Sequence, residues 1–138
     1  MAEGGNRPVL LTILVCDTIL RDEQSKKLSL IGLFNRISAS QFPCRHMEMH
    51  VFVSLTDGHG TCQAQLRLMK RSTDEPLAAI EGKLVFPNPK AIVEMNFDVK
   101  GSVFPEPGEY SFDFYVNGDL IGSRPFQVAA AGDGSSTH

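Results

Sequence analysis

Alternation of period two runs through most of the chain. From Met47 to Leu55, Met49, Val51, Val53 and Leu55 share one side with Met47, and Glu48, His50, Phe52 and Ser54 share the other. Such spacing predicts a strand with one buried face. Asp57-Gly58-His59-Gly60 follows and has turn composition. Cys62, Ala64, Leu66 and Leu68 then alternate with Gln63, Gln65, Arg67 and Met69. With Thr56 opposite Thr61, Leu55 meets Cys62, Val53 meets Ala64, Val51 meets Leu66 and Met49 meets Leu68. The matched apolar rows predict a hairpin in that register. A reversal over Arg71–Pro76 leads to Ile80, Gly82, Leu84 and Phe86 on one side of the next strand. Pairing Leu68 with Ile80 extends the hairpin to a three-stranded meander with one wet face.

Pro87-Asn88-Pro89 breaks the ladder, since proline has no N–H to donate. Val93, Met95, Phe97 and Val99 then point inward, with Glu94, Asn96 and Asp98 outward. After a second break at Phe104–Gly108, Tyr110, Phe112, Phe114 and Val116 alternate with Ser111, Asp113 and Tyr115. Asn117-Gly118 signals a two-residue hairpin, and Pro125 suggests an edge position near Phe126-Gln127-Val128. Val9–Val15 and Leu28–Phe34 are nearly unbroken apolar runs, which predicts strands buried on both faces. Asp17–Lys27 between them reads as a charged loop or one helical turn. No segment keeps a helical period over three turns. Eight or nine short strands predict an all-β, antiparallel β-sandwich over residues 8–129, with a flexible N-terminus (1–7) and a disordered tail (130–138).

Two stretches carry resemblances. Pro107-Gly108-Glu109-Tyr110-Ser111-Phe112, Asn117-Gly118 and Phe126-Gln127-Val128 resemble the closing strands of immunoglobulin-like and C2-like sandwiches. Their Gly-x-Tyr-x-Phe core is similar to a tyrosine-corner strand, which bears on fold alone. Cys16-Asp17, Lys27-Leu28-Ser29-Leu30-Ile31-Gly32-Leu33-Phe34 and Phe42-Pro43 resemble a family of small bacterial proteins of about this length, a domain of unknown function. That resemblance implies a bacterial, cytoplasmic protein and brings no activity, cofactor or site residue.

Composition narrows the field further. The 138 residues hold 42% hydrophobic and 21% charged side chains, enough for one real core. A net charge of −3 and only two basic doublets, Lys26-Lys27 and Lys70-Arg71, argue against nucleic acid. No apolar run approaches the roughly 18 residues of a membrane span. Val9–Cys16 has the look of a short signal core, but Val15 is not the small residue that lipoprotein processing needs, and Arg7 is the one upstream cation. An odd count of cysteines (Cys16, Cys44, Cys62) suits a reducing compartment.

Candidate chemistry is thin. Cys44, His46, His50, His59 and Cys62 are zinc-ligand types, yet the hairpin register separates His50 from Cys62 and puts them on opposite faces. Cys16-Asp17 at a strand end could place a thiol at a rim, but reactivity would need a nearby cation or helix N-terminus, and a buried structural cysteine is the better reading. Asp57, Asp113 and Asp119 are too few and scattered for calcium, and Gly58-His59-Gly60 lacks the rest of a phosphate loop. No cofactor or metal is expected. Phe52, Met69, Ile92 and Tyr115 stand as apolar residues on the wet side, and their convergence would make a partner surface. The sequence therefore favours a non-catalytic protein-interaction or self-assembly module, not an enzyme. The alternative is a small enzyme or ligand-binding protein with its site in end loops around Asp17, Arg21 and Asp22.

Overall fold

A computed structural model describes residues 7–132. Nine strands occur in chain order: β1 (Val9–Arg21), β2 (Leu28–Leu33), β3 (Arg36–Ala39), β4 (Cys44–Thr56), β5 (Gly60–Lys70), β6 (Glu75–Phe86), β7 (Val93–Phe104), β8 (Gly108–Val116) and β9 (Asp119–Ala130). They form a four-stranded sheet, β2-β1-β4-β7, and a five-stranded sheet, β3-β9-β8-β5-β6. The all-β sandwich matches the expectation from alternation. One pairing departs from the antiparallel rule, since β3 runs parallel to β9. No helix of the described residues is long and apolar enough to cross a membrane.

The core lies between the sheets. Met49, Val51, Val53 and Leu55 of β4 and Val15 of β1 face Cys62, Ala64, Leu66 and Leu68 of β5, all buried. At one end Phe104 packs edge-on against Tyr110 at 5.0 Å and Phe126 at 5.9 Å, and Phe112 stacks on Phe126 at 5.3 Å. The Tyr110 hydroxyl donates to the Glu106 carbonyl at 2.6 Å, the local bond of a tyrosine corner. The Glu106 carboxylate reaches Lys70 Nζ, also at 2.6 Å, and that partner raises the Lys70 pKa. Asn117 and Gly118 turn β8 into β9 with φ of 50° and 86°, as a two-residue hairpin requires.

Several expectations are corrected. β4 and β5 do not form a hairpin: β4 pairs with β1 and β7, and β5 with β6 and β8. The 57–60 turn carries the chain from one sheet to the other, so the two apolar rows meet across the core instead of along a ladder. The meander is thereby reduced to β5–β6. Its register is displaced by two residues, with Leu66 opposite Ile80 and a bulge between Leu68 and Met69. An even displacement keeps every side chain on its own face.

Met47 does not belong to the buried row; it is 72% exposed. On β7 the buried positions pass from Phe97 and Val99 to Ser102 and Phe104, a change of parity. Gly101, with φ of 66°, sits at that change, between the pairs His46–Ser102 and Glu48–Lys100. Glycine takes this left-handed backbone without a Cβ penalty. Met47 lies opposite this kink.

The front strands are not buried on both faces. β2 is the edge of its sheet, with Ile31 45% and Leu33 58% exposed. Asp17–Arg21 continues β1, and the loop begins only at Asp22. β9 lacks an outer neighbour at Pro125, because β3 pairs only from Gln127 to Ala130. Of the expected flexible N-terminus, Arg7 donates to the Leu120 carbonyl at 3.1 Å, and residues 1–6 lie outside the described residues. Of the expected tail, Ala130 pairs with Ala39 and Ala131 N donates to the Ala39 carbonyl; residues 133–138 lie outside the described residues.

Candidate functional site

The outward face of the four-stranded sheet brings together side chains that lie far apart in sequence. One row crosses all four strands: Leu33, Cys16, His50 and Asp98 are successive register partners. The next row is Leu14, Phe52 and Asn96. Directly opposed residues on a pleated sheet share a face, so these rows form one surface. Its β2–β1 half carries Leu14, Leu20, Ile31 and Leu33, with Thr18 and Ser29 among them, and Phe52 of β4 adjoins it beside Leu14. Its β4–β7 half is polar, with Glu48, His50, Asn96, Asp98 and Lys100.

Cys16 lies at the junction and is fully covered, its Sγ donating to the Thr18 carbonyl at 3.4 Å. Burial, then the neighbouring Asp17 charge, pushes its thiol pKa up, so it is a poor nucleophile at neutral pH.

In the polar half His50 is buried at 8% exposure. Its Nε2 lies 3.0 Å from Glu48 Oε2 and 3.8 Å from Asp98 Oδ1. Its Nδ1 lies 3.3 Å from Asn96 Oδ1. Lys100 Nζ sits 3.5 Å from the other Asp98 oxygen, Oδ2. Glu48, His50 and Asp98 make the one group of metal-ligand types found among the described residues. The sequence reading did not select Glu48 and Asp98. Both stand at outward positions two residues from His50 or Asn96, but only the β4–β7 pairing joins them.

The zinc-type residues considered from sequence do not converge. His50 faces outward on one sheet, Cys62 inward on the other, His59 lies in the β4–β5 turn, and Cys44 and His46 are at the far end of β4. Asp57 sits in that same turn, Asp113 on the outward face of the five-stranded sheet, and Asp119 at the start of β9, so no calcium cage is formed by these three. Asp17 lines a depression with Arg36 and His46, while Arg21 and Asp22 line a different one. The latter pair holds its own loop: Arg21 Nη1 donates to the Lys26 carbonyl, and Asp22 Oδ2 accepts from Gln24 N and Ser25 N. Those backbone bonds, Ser25 first, lower the Asp22 pKa.

Phe52, Met69, Ile92 and Tyr115 do not form one patch. Phe52 lies on the four-stranded sheet, half-buried. Tyr115 lies on the five-stranded sheet beneath the Arg67 guanidinium, 4.0 Å from its ring centre. Met69 is buried at 8%, and Ile92 is 64% exposed in the β6–β7 connection.

Residues 11–129 match the family model DUF6941, described as a family of unknown function. No curated protein matches the chain.

Proposed function

The chain belongs to DUF6941, a family of unknown function, and from that footing we propose that it is a non-catalytic interaction module that assembles with a second copy of itself through the β2 edge. The observation that carries this reading is the edge itself. Leu28–Leu33 contains no charged residue and no proline, the two residue types with which edge strands commonly refuse a partner. Ile31 and Leu33 stand exposed on it and continue into Leu14, Leu20 and Phe52 on the same face. An antiparallel edge is complementary to itself about a two-fold axis. Two copies joined β2 to β2 would make an eight-stranded sheet and bring Ile31 and Leu33 of one copy beside those of the other on a single face.

The alternative, a small-ligand or catalytic site around Asp17, Arg21 and Asp22, has less support. Asp17 lies four residues along the strand from Arg21, roughly 13 Å at strand rise, and opens onto a different depression. The same proposal takes the protein as bacterial and cytoplasmic, in keeping with three cysteines that form no disulfide. Light scattering of the full chain across a concentration series tests it. A dimer that falls to monomer in Ile31→Lys/Leu33→Lys supports the reading; a wild-type monomer throughout the series overturns it.

A further inference from the structure

We propose that Glu48, His50 and Asp98 form a binding site for a divalent first-row transition cation of the zinc(II) type, clamping β4 to β7. The argument starts from donors and acceptors. His50 Nδ1 lies 3.3 Å from Asn96 Oδ1, which accepts the ring proton in the Nδ1–H tautomer. Nε2 then presents a lone pair. It points at Glu48 Oε2, 3.0 Å away, and Asp98 Oδ1, 3.8 Å away. All three atoms lie within 4.8 Å of one another. In that tautomer all three atoms are acceptors, and a cation among them satisfies all three at once, whereas a proton on Nε2 would be donated to Glu48 and leave Asp98 Oδ1 at 3.8 Å unserved.

The spacing suits a small ion. Ligand bonds of about 2.0–2.2 Å at tetrahedral angles place ligand atoms about 3.3–3.6 Å apart, and the two separations from Nε2 bracket that range. One imidazole nitrogen with two carboxylate oxygens suits a borderline ion better than calcium or magnesium, which take oxygen throughout. The Asn96 contact is the outer-shell bond that a metal-ligating histidine needs to fix its tautomer and ring orientation. Lys100 pairs with Asp98 through Oδ2, the carboxylate oxygen other than the Oδ1 that faces His50. Two carboxylates and a neutral imidazole carry a charge of −2, matched by the ion. A fourth position stays open to water.

The test is zinc competition between a chromophoric chelator and the full-length, chelator-stripped protein. One equivalent is expected to bind. Glu48→Gln and Asp98→Asn, both at exposed side chains, are expected to weaken binding at least about tenfold while leaving the circular dichroism spectrum unchanged. Asn96→Leu is expected to cost about 10–100-fold, the usual effect of losing an outer-shell partner. Cys44→Ser is expected to change nothing, which separates this site from adventitious thiol binding. Zinc should also move the His50 Nε2 resonance and not that of Nδ1 in nitrogen-15 spectra. Less than a tenth of an equivalent bound, equal affinity in Glu48→Gln and Asp98→Asn, or preference for calcium would overturn the proposal.

Discussion

The outward faces of the two sheets start from the same alternation and end in different conditions. On the five-stranded sheet the side chains bind one another. Arg67 Nε donates to Gln65 Oε1 at 2.6 Å, Gln65 Nε2 to Glu81 Oε2 at 3.2 Å, and Ser111 Oγ to Asp113 Oδ1 at 2.8 Å. Arg71 Nη1 reaches Ser111 Oγ at 3.4 Å, and Arg67 covers Tyr115. On the β2–β1 half of the four-stranded sheet the face is mostly Leu14, Leu20, Ile31 and Leu33, with Thr18 and Ser29 as its hydroxyl-bearing positions. A face closed by its own hydrogen bonds has nothing left for a partner, whereas an apolar face beside an unguarded edge is completed by one.

Substitutions can break or sharpen that contrast. The largest effect is expected beneath both faces: Phe104→Ala removes a ring wedged against Tyr110 and Phe126 and should cost about 3–5 kcal/mol in urea unfolding. Next comes Asp113→Ala, which leaves the buried Ser111 hydroxyl without its acceptor and should cost about 1–3 kcal/mol. The matching change on the other sheet, Leu33→Ser, should stay within about 0.5 kcal/mol when measured at dilutions where the chain is monomeric and the side chain faces water, and should show itself instead as weaker self-association. Equal costs for Asp113→Ala and Leu33→Ser would erase the distinction between the faces.

Tyr110→Phe is smaller, about 0.5–1.5 kcal/mol, through loss of the bond to the Glu106 carbonyl. It also carries a pH signature. Burial raises the Tyr110 pKa above its ordinary value of 10.0, and Lys70 is raised by its hydrogen bond to Glu106. Groups raised on folding contribute fully below their unfolded pKa and lose that contribution as pH rises through the folded one. Stability should therefore fall above about pH 10, and less steeply in Tyr110→Phe, as followed by denaturant midpoints from pH 7 to 11. An identical slope in both proteins would contradict the assignment.

Much of this architecture was legible in the order of residues. Alternation located β4 through β8, Asn117-Gly118 marked its hairpin, and the Gly-x-Tyr-x-Phe strand made its corner bond. What alternation cannot distinguish is a neighbour in the same sheet from a partner across the core. Leu55 and Cys62 satisfy the hydrophobic match in either arrangement, so the β4–β5 hairpin was a reasonable inference and a wrong one. Unbroken apolar runs have the same ambiguity: Leu28–Phe34 reads as doubly buried, but Ile31 and Leu33 on its second face are left exposed by the described residues. The His50 cluster was illegible for a topological reason. Its members come from strands 46 residues apart at His50 and Asn96, and only the β4–β7 register places them together. Of the apolar residues singled out on wet sides, Phe52 lies on the face proposed for assembly, while Tyr115 is occupied by Arg67.

The mass in solution tests the central idea most directly. Sedimentation or light scattering of the full chain should give twice the 15.1 kDa chain mass, falling to a single chain in Ile31→Lys/Leu33→Lys with an unchanged far-ultraviolet spectrum. A single-chain mass for the wild-type protein, or a dimer untouched by the two lysines, would contradict it.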